Sequence, residues 1–557
     1  MTIIDFTLIL PELFLLITVN ILLLYALFFA GLGQSNQRFS ISPIIKKSQK
    51  TKNGDYVATA ITPESLIRSA YLSTPLQIVE PLSWLIVLSL VFSTLLILNN
   101  PVTNAVILTN SFICDDYATL FKVLLCLASG AAIALAIPSK KGFMVGSCYA
   151  TRSSYEFVLI ILLAILGMLC LISSYNFLTL YLSIELQSLS FYLLACSKAR
   201  SEFSAEAGLK YFILGAFSSA ILLFGISIIY GSIGSIYFDD VTALLNYSDN
   251  SINLGSGLNS LISVNKAVAT YTNAPYIGLG IGLTCICISL LFKLAAVPFH
   301  MWAPDVYEGS PMDITAFFAI SAKIAALNLL ARFVIATEQL LVPILSFVAM
   351  ATLTVGTLSA MRQVKIKRLI AFSGISNVGW FIMGLCCGGL DAVILHLIVY
   401  VILSITLFSI LIIPIHRLQG SYFTTTVGNT TIKHISDLGQ VYKTNTIVAL
   451  ALTITFFSLG GIPVLAGFYS KYLIINAAIQ AEALALIIIG LLSAVFSAYY
   501  YIRVVKTVYF SENGSDWFSF SVPTSTNAYL IGITCFFTLL FIVYPESINI
   551  WLINASL

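Results

Sequence analysis

Phe292-Lys293-Leu-Ala-Ala-Val-Pro298-Phe299 has a counterpart far along the chain, Phe457-Ser-Leu-Gly-Gly-Ile-Pro463-Val464. Both read Phe-x-Leu-small-small-branched-Pro-apolar. Both lie inside apolar stretches long enough to cross a bilayer, which takes about 20 residues as a helix. A proline at that depth removes one backbone donor and clashes with the preceding turn. The small pairs before it, Ala295-Ala296 and Gly460-Gly461, let that turn open. Unwound backbone at membrane depth is tolerated only within protein or beside water. The two strings therefore predict two broken helices lining a polar interior; a pair of simple kinks is the plainer alternative.

The surrounding chain fits a membrane. Of 557 residues, 59% are hydrophobic and 9% charged, against about 25% charged in an ordinary soluble domain. No water-soluble fold of this size hides that much apolar surface, so lipid is the expected solvent and no nucleic-acid partner is expected. Apolar windows give an all-α polytopic protein of about fourteen predicted spans. They cover 8–31, 76–98, 112–137, 155–173, 176–197, 207–235, 276–303, 312–336, 339–361, 367–386, 391–415, 446–476, 482–510 and 527–552. Two polar insertions, 34–74 and 237–275, read as loops, leaving 1–557 as a single membrane domain. The N-terminus lacks a basic leader and a cleavage signal, so span 1 is expected to be retained.

Basic residues test the span count. The loops after odd-numbered spans hold nearly all of the loop Lys and Arg, including Lys46, Lys47, Lys140, Lys141, Arg152, Arg362, Lys365, Arg368, Lys433 and Lys506. The loops after even-numbered spans hold Lys266 alone. By the positive-inside rule the odd loops face the cytoplasm or matrix, and both termini face the other side. The two proline strings lie in spans 7 and 12, five apart, so they cross in opposite directions. That predicts an inverted repeat, spans 4–8 (155–336) against spans 9–13 (339–510).

A few ionisable residues remain within the spans. Charge at mid-bilayer costs roughly 2.5–3.5 kcal/mol on insertion scales, so such residues persist where they pair or face a hydrated path. Lys293, Lys323 and Lys471 are read as proton carriers, and snorkelling does not fit Lys323, which lies far from both ends of span 8. Glu185, in the centre of span 5, is a candidate partner for Lys293. Two unit charges about 4 Å apart interact by roughly 4 kcal/mol at an effective dielectric of 20, enough to change the lysine's proton occupancy. His396, in span 11, suits a relay by its titration range, against the bland alternative of a satisfied structural histidine. Ser373, Ser376 and Asn377 offer hydrogen bonds to water. Lys210 follows Glu206 by four residues, an ordinary helical ion pair. Lys122 and Arg332 have structural explanations, and His300 is expected to cap carbonyls freed at the span 7 break. Ten cysteines without metal or redox spacing read as small apolar residues. No nucleotide, iron–sulfur or haem motif appears, and scattered histidines give no metal cluster.

Phe292-Lys-Leu-Ala-Ala-Val-Pro-Phe-His-Met-Trp-Ala-Pro-Asp-Val-Tyr-Glu-Gly-Ser-Pro311 closely resembles the span 7 signature of the subunit 2 (bacterial subunit N) family of respiratory complex I. Ala207-Gly-Leu-Lys-Tyr-Phe-Ile-Leu-Gly-Ala-Phe and Phe457-Ser-Leu-Gly-Gly-Ile-Pro with Gly467-Phe-Tyr-Ser-Lys471 are similar to two more of its motifs. The resemblance implies an antiporter-like fold of fourteen helices, with helices 7 and 12 broken. It implies that Glu185 pairs with Lys293, and that Lys323 relays protons towards His396 and Lys471. It implies partners among the membrane and peripheral-arm subunits, sister antiporter-like subunits included, in the mitochondrial inner membrane or a bacterial plasma membrane. FMN, iron–sulfur clusters and ubiquinone would sit on other subunits, and this chain would carry protons only. A subunit of a multi-subunit cation/proton antiporter is the alternative.

Overall fold

The computed structural model describes residues 3–40, 63–100, 105–137, 155–198, 201–243, 245, 266–413, 415–419, 432–439, 441–510, 516–520, 523–541 and 545. Helices dominate: α1 (Ile3–Ser40), α2 (Pro63–Leu98), α3 (Asp116–Ala136), α4 (Glu156–Ser173), α5 (Phe177–Ala195), α6 (Glu202–Ile233), α7 (Lys266–Leu294) and α8 (Trp302–Gly309). Then come α9 (Met312–Ala336), α10 (Glu338–Met361), α11 (Ile366–Cys386), α12 (Leu390–Leu411), α13 (Thr446–Gly460), α14 (Ala466–Gln480), α15 (Leu484–Phe510) and α16 (Ser525–Leu540). Among the described residues, 11 helices are long and apolar enough to cross a membrane. Three shorter apolar helices, Gly278–Leu294, Thr446–Gly460 and Ser525–Leu540, fall at the predicted spans 7, 12 and 14. The protein is a multi-pass membrane protein.

Burial sorts these helices into two kinds. Helices α9, α11 and α12 are enclosed on nearly all sides, whereas α6 and α15 turn exposed Phe, Leu and Ile outward. A helix apolar all round is either core or lipid-facing, and the chain uses both. α9 packs against α3, α7 and α12, and α10 lies along α11. The helix that carries Lys323 is thus central.

Departures from the predicted extents have local causes. Span 3 was expected from residue 112, but Phe112–Cys114 is a strand, β2, paired antiparallel with β1 (Ala105–Ile107). β-Branched and aromatic residues favour the ladder, and Asp115 then caps α3 by accepting from the Ala118 amide at 2.9 Å. Span 11 was expected to reach 415, but α12 ends at Leu411 and Ile415–Gln419 forms β3, paired with β4 (Asp516–Phe520). Span 14 was expected to reach 552, whereas α16 ends at Leu540. Pro545 lies inside that interval, and its ring clashes with the carbonyl four residues back. Helix also runs into the supposed loops, to Ser40, from Pro63 and from Lys266. Residues 41–62 and 246–265 of those two insertions lie outside the described residues, as do Lys140, Lys141 and Arg152.

Both predicted breaks are present, and they close alike. α7 stops at Leu294 and α8 starts at Trp302; α13 stops at Gly460 and α14 starts at Ala466. At the first, the Ala295 amide donates to Phe292 O (3.0 Å) and the Ala296 amide to Leu291 O (2.9 Å). At the second, the Gly461 amide donates to Ser458 O and the Ile462 amide to Phe457 O, both at 3.0 Å. This double closure needs a left-handed residue just past the helix. Ala295 (φ 61°) and Gly461 (φ 77°) supply it. Gly461→Ala is expected to cost about 1–2 kcal/mol, the left-handed penalty of a residue with a Cβ. Ala295→Gly trades that penalty against about 0.4–1 kcal/mol of unfolded-chain freedom and is expected to change little. Thermal unfolding of the detergent-extracted protein checks the contrast.

Candidate functional site

The candidate residues lie where the two broken helices meet α5, α9, α11 and α12. Opening a helix in apolar surroundings frees carbonyls that need donors. At the first break the Trp302 indole Nε1–H, on α8, donates to Phe292 O at 3.0 Å. At the second, the Lys471 ammonium, on α14, donates to Leu459 O of α13 at 2.8 Å. Trp302 was not expected in this role; the His300 ring interacts with the Pro298 backbone within the break, as expected, and its Nδ1 is buried without a partner. Close backbone packing completes the second break. A Cβ on Gly467 would lie 1.8 Å from Ser458 O, and the Gly467 amide donates to Ser458 Oγ at 3.1 Å.

Lys323 is buried on α9. Its Nζ donates to Gly374 O on α11 (3.1 Å) and to the Tyr400 hydroxyl on α12 (2.8 Å), and lies 4.6 Å from the centre of that ring. A Cβ at Gly374 would sit 2.8 Å from the ammonium, so a larger residue there would displace the Lys323 head group. One turn before Tyr400 on the same helix, His396 is buried and meets Ser470 of α14, Nδ1 to Oγ, at 2.9 Å. Ser470 Oγ donates in turn to Gly467 O at 3.1 Å. The other ring nitrogen of His396, Nε2, is buried without a partner. Ser470 is followed by Lys471, whose ammonium lies 5.7 Å from the Trp380 ring centre. Two buried polar pairs therefore lie along α12, Lys323 with Tyr400 and His396 with Ser470, and the Phe381 ring packs against both the Tyr400 and His396 rings.

Glu185 and Lys293 do not form an ion pair in this structure. Lys293 Nζ is buried without a hydrogen-bond partner, 5.9 Å from the ring centre of Tyr192, which follows Glu185 by two turns on α5. Glu185 Oε2 accepts from Ser188 Oγ at 3.4 Å, and Oε1 has no partner. Charged ends left uncommitted inside a protein are costly. The contact expected from sequence is here an open one.

The other ionisable residues find local partners. Lys210 meets Glu206 at 2.8 Å, as the spacing predicts, and also Asp305 at 3.0 Å. Asp305 pairs with Arg368 (3.1 Å), and Glu308 pairs with both Arg368 and Lys365. This alternating chain ties the short helix α8 to α6 on one side and α11 on the other. Arg332 pairs with Asp115 at 2.7 Å. Ser373 and Ser376 bond to carbonyls of their own helix, Ile370 and Ser373, and Asn377 is buried beside them. Among the described residues no group of three or more His, Cys, Asp or Glu could hold a metal ion.

Two broken helices and three buried lysines define an antiporter-like membrane protein. Residues 174–497 match the family described as NADH:quinone oxidoreductase/Mrp antiporter, transmembrane, and the chain belongs to that family. It is 34% identical to NADH-ubiquinone oxidoreductase chain 2 of Marchantia polymorpha over 97% of this chain and 96% of that one. It is 38% identical to NADH-quinone oxidoreductase subunit N 1 of Rhizobium meliloti over 72% of this chain and 76% of that one. A chain from a solved structure, respiratory complex I from Thermus thermophilus with bound aureothin, matches with a TM-score of 0.67 at 25% identity. That match covers 87% of this chain and 96% of that chain. The resemblance drawn from the span 7 string is borne out.

Tyr400, Ser470 and Trp302 were not singled out from sequence, although Tyr400 follows His396 by four residues and Ser470 adjoins Lys471. Tyr400→Phe keeps the ring beneath the Lys323 ammonium and removes one of its two oxygen acceptors. A hydrogen bond to a charged group contributes about 1.5–3 kcal/mol, so the thermal midpoint of the extracted protein is expected to fall by that equivalent. Tyr400→Leu, which also removes the ring, is expected to lower it further.

Proposed function

We propose that this chain is a proton-translocating, antiporter-like core subunit of respiratory complex I. It would couple NADH:ubiquinone oxidoreduction, carried out on other subunits that hold FMN, iron–sulfur clusters and ubiquinone, to proton movement. The observation that carries the proposal is the two buried pairs along α12, Lys323–Tyr400 at 2.8 Å and His396–Ser470 at 2.9 Å, with Lys471 next after Ser470 on α14. Ammonium, phenol, imidazole and hydroxyl groups are proton donors and acceptors, and the Nε2 of His396 is uncommitted.

In this proposal Glu185 acts on Lys293 from α5. When the two approach, the carboxylate stabilises the ammonium; when they part, the proton is released towards Lys323. Attraction of roughly 4 kcal/mol at about 4 Å and an effective dielectric of 20 is the size of the effect. From Lys323 the proton passes by Tyr400 and His396 to Lys471 at the second break. Support for an inverted repeat, 155–336 against 339–510, comes from the matching double closures at 295–296 and 461–462. With the three shorter apolar helices counted as crossings, the described residues hold fourteen. Both termini then lie on the intermembrane-space side of the mitochondrial inner membrane, or outside a bacterial plasma membrane. Sister antiporter-like subunits and the other subunits of the complex are the partners.

The family also takes in Mrp antiporters, so a multi-subunit cation/proton antiporter is the second reading; co-purification with quinone-reducing, iron–sulfur partners decides against it. The direct test is proton pumping per NADH oxidised by the assembled complex in proteoliposomes. Lys293→Ala is expected to depress pumping and coupled turnover, while Lys293→Arg, which keeps the charge, partly preserves them. Wild-type pumping by both assembled variants would mean that the central lysine is structural.

A further inference from the structure

Each of the three buried lysines has an aromatic face near it. Lys323 Nζ lies 4.6 Å from the centre of the Tyr400 ring, Lys471 Nζ 5.7 Å from that of Trp380, and Lys293 Nζ 5.9 Å from that of Tyr192. A ring face attracts a cation within about 6 Å of its centre, and more strongly where water is excluded. Two of the lysines also donate to oxygen, Lys323 to Gly374 O and the Tyr400 hydroxyl, Lys471 to Leu459 O. Lys293 Nζ is buried with no hydrogen-bond partner. The face of Tyr192 stands where the other two have an acceptor.

That ring is held firmly. Its hydroxyl end abuts α6, where a Cβ on Gly215 would lie 2.0 Å from the phenolic oxygen. Tyr211 of α6 meets it edge to face, with ring centres 4.9 Å apart at 90°, and Phe212 does so at 5.6 Å and 86°. Edge-to-face and offset pairs of this kind are the favoured aromatic geometries. Tyr211 in turn stacks on Trp302 of α8, 4.6 Å away and 14° from parallel. The Trp302 indole donates to Phe292 O, the carbonyl bonded to Lys293 itself. The path Lys293, Tyr192, Tyr211, Trp302, Phe292 is therefore closed. The ring that faces the ammonium is braced against the backbone from which the ammonium hangs.

We propose that Tyr192 is a positioning residue for Lys293: its ring face, fixed by Gly215, Tyr211 and Trp302, holds the ammonium while Glu185 is out of contact. The inference rests on the proton-carrying function above. By favouring the ammonium, the ring sets how readily Lys293 gives up its proton. Neighbouring charges leave that role to it. Glu185 on α5 is the charge that acts on Lys293. On α9, which packs against α7, Lys323 is turned to Gly374 and Tyr400. On α6 and α8, Glu206, Asp305 and Glu308 are paired with Lys210, Arg368 and Lys365.

The test is the pH profile of proton pumping by the assembled complex in proteoliposomes. Tyr192→Leu removes the ring face, so Lys293 loses its proton at lower pH. The alkaline limb of the profile is expected to move down by about half a unit to one and a half units. Tyr192→Phe, which keeps a face, is expected to leave the limb in place. A packing role alone would lower the amount of complex and not move the limb. An unmoved limb in assembled Tyr192→Leu overturns the proposal, as does an equal shift when Lys293→Arg, which does not titrate, is combined with it. If leucine prevents assembly, Gly215→Ala decides in the same way, since its methyl displaces the ring without removing it. Lys293→Ala, measured alongside, separates the two levels. Wild-type pumping there sinks the proton-carrying role of Lys293, whereas a loss there with the limb unmoved in Tyr192→Leu sinks only the positioning by Tyr192.

Discussion

A carbonyl released inside a bilayer has no water to turn to, and leaving it unpaired costs several kcal/mol. Two helices of this protein are opened in the apolar layer, so the surrounding architecture must satisfy what they expose. Part of the answer is local: the amides of Ala295, Ala296, Gly461 and Ile462 fold back on the last turns. The rest comes from the far side of each break, from the indole of Trp302 and the ammonium of Lys471. Packing follows from this. Gly467 must be glycine to let α14 approach Ser458, and the chain of ion pairs from Lys210 to Lys365 holds α8 in reach of α7.

The three lysines of the site are held in three different ways. Lys323 is fully engaged, by a carbonyl, a hydroxyl and an aromatic face. Lys471 is engaged by a carbonyl that exists only because the helix is broken. Lys293 has an aromatic ring nearby and no hydrogen bond. Solvation of a buried ammonium is therefore graded among the three, with the most exposed need at the Glu185 end. On α5, Glu185 likewise carries an uncommitted oxygen, Oε1.

Much of this was legible in the sequence because a membrane makes mistakes conspicuous. A lysine or a proline among leucines stands out, so Lys293, Lys323, Lys471 and both breaks were found without coordinates, and the limits of α9 were read to the residue. What was missed has the opposite character. Tyr400 and Ser470 are unremarkable residues in membrane helices and acquire meaning only from what they touch. Glu12 meets Lys122 across 110 residues of chain, a pairing no local pattern records. The strands beside α3 and α12 were absorbed into apolar windows, since hydropathy does not distinguish a short apolar ladder from the end of a helix.

The bond from Lys471 to Leu459 O has a mechanical side. One nitrogen on α14 grips one oxygen on α13, so the angle between the two half-helices is held by a pin whose strength depends on its charge. A charged donor bonds roughly twice as strongly as a neutral one. Taking a proton from that nitrogen slackens the joint, and bending the joint changes the affinity of the nitrogen for its proton. Force and charge at this point are two readings of one coordinate.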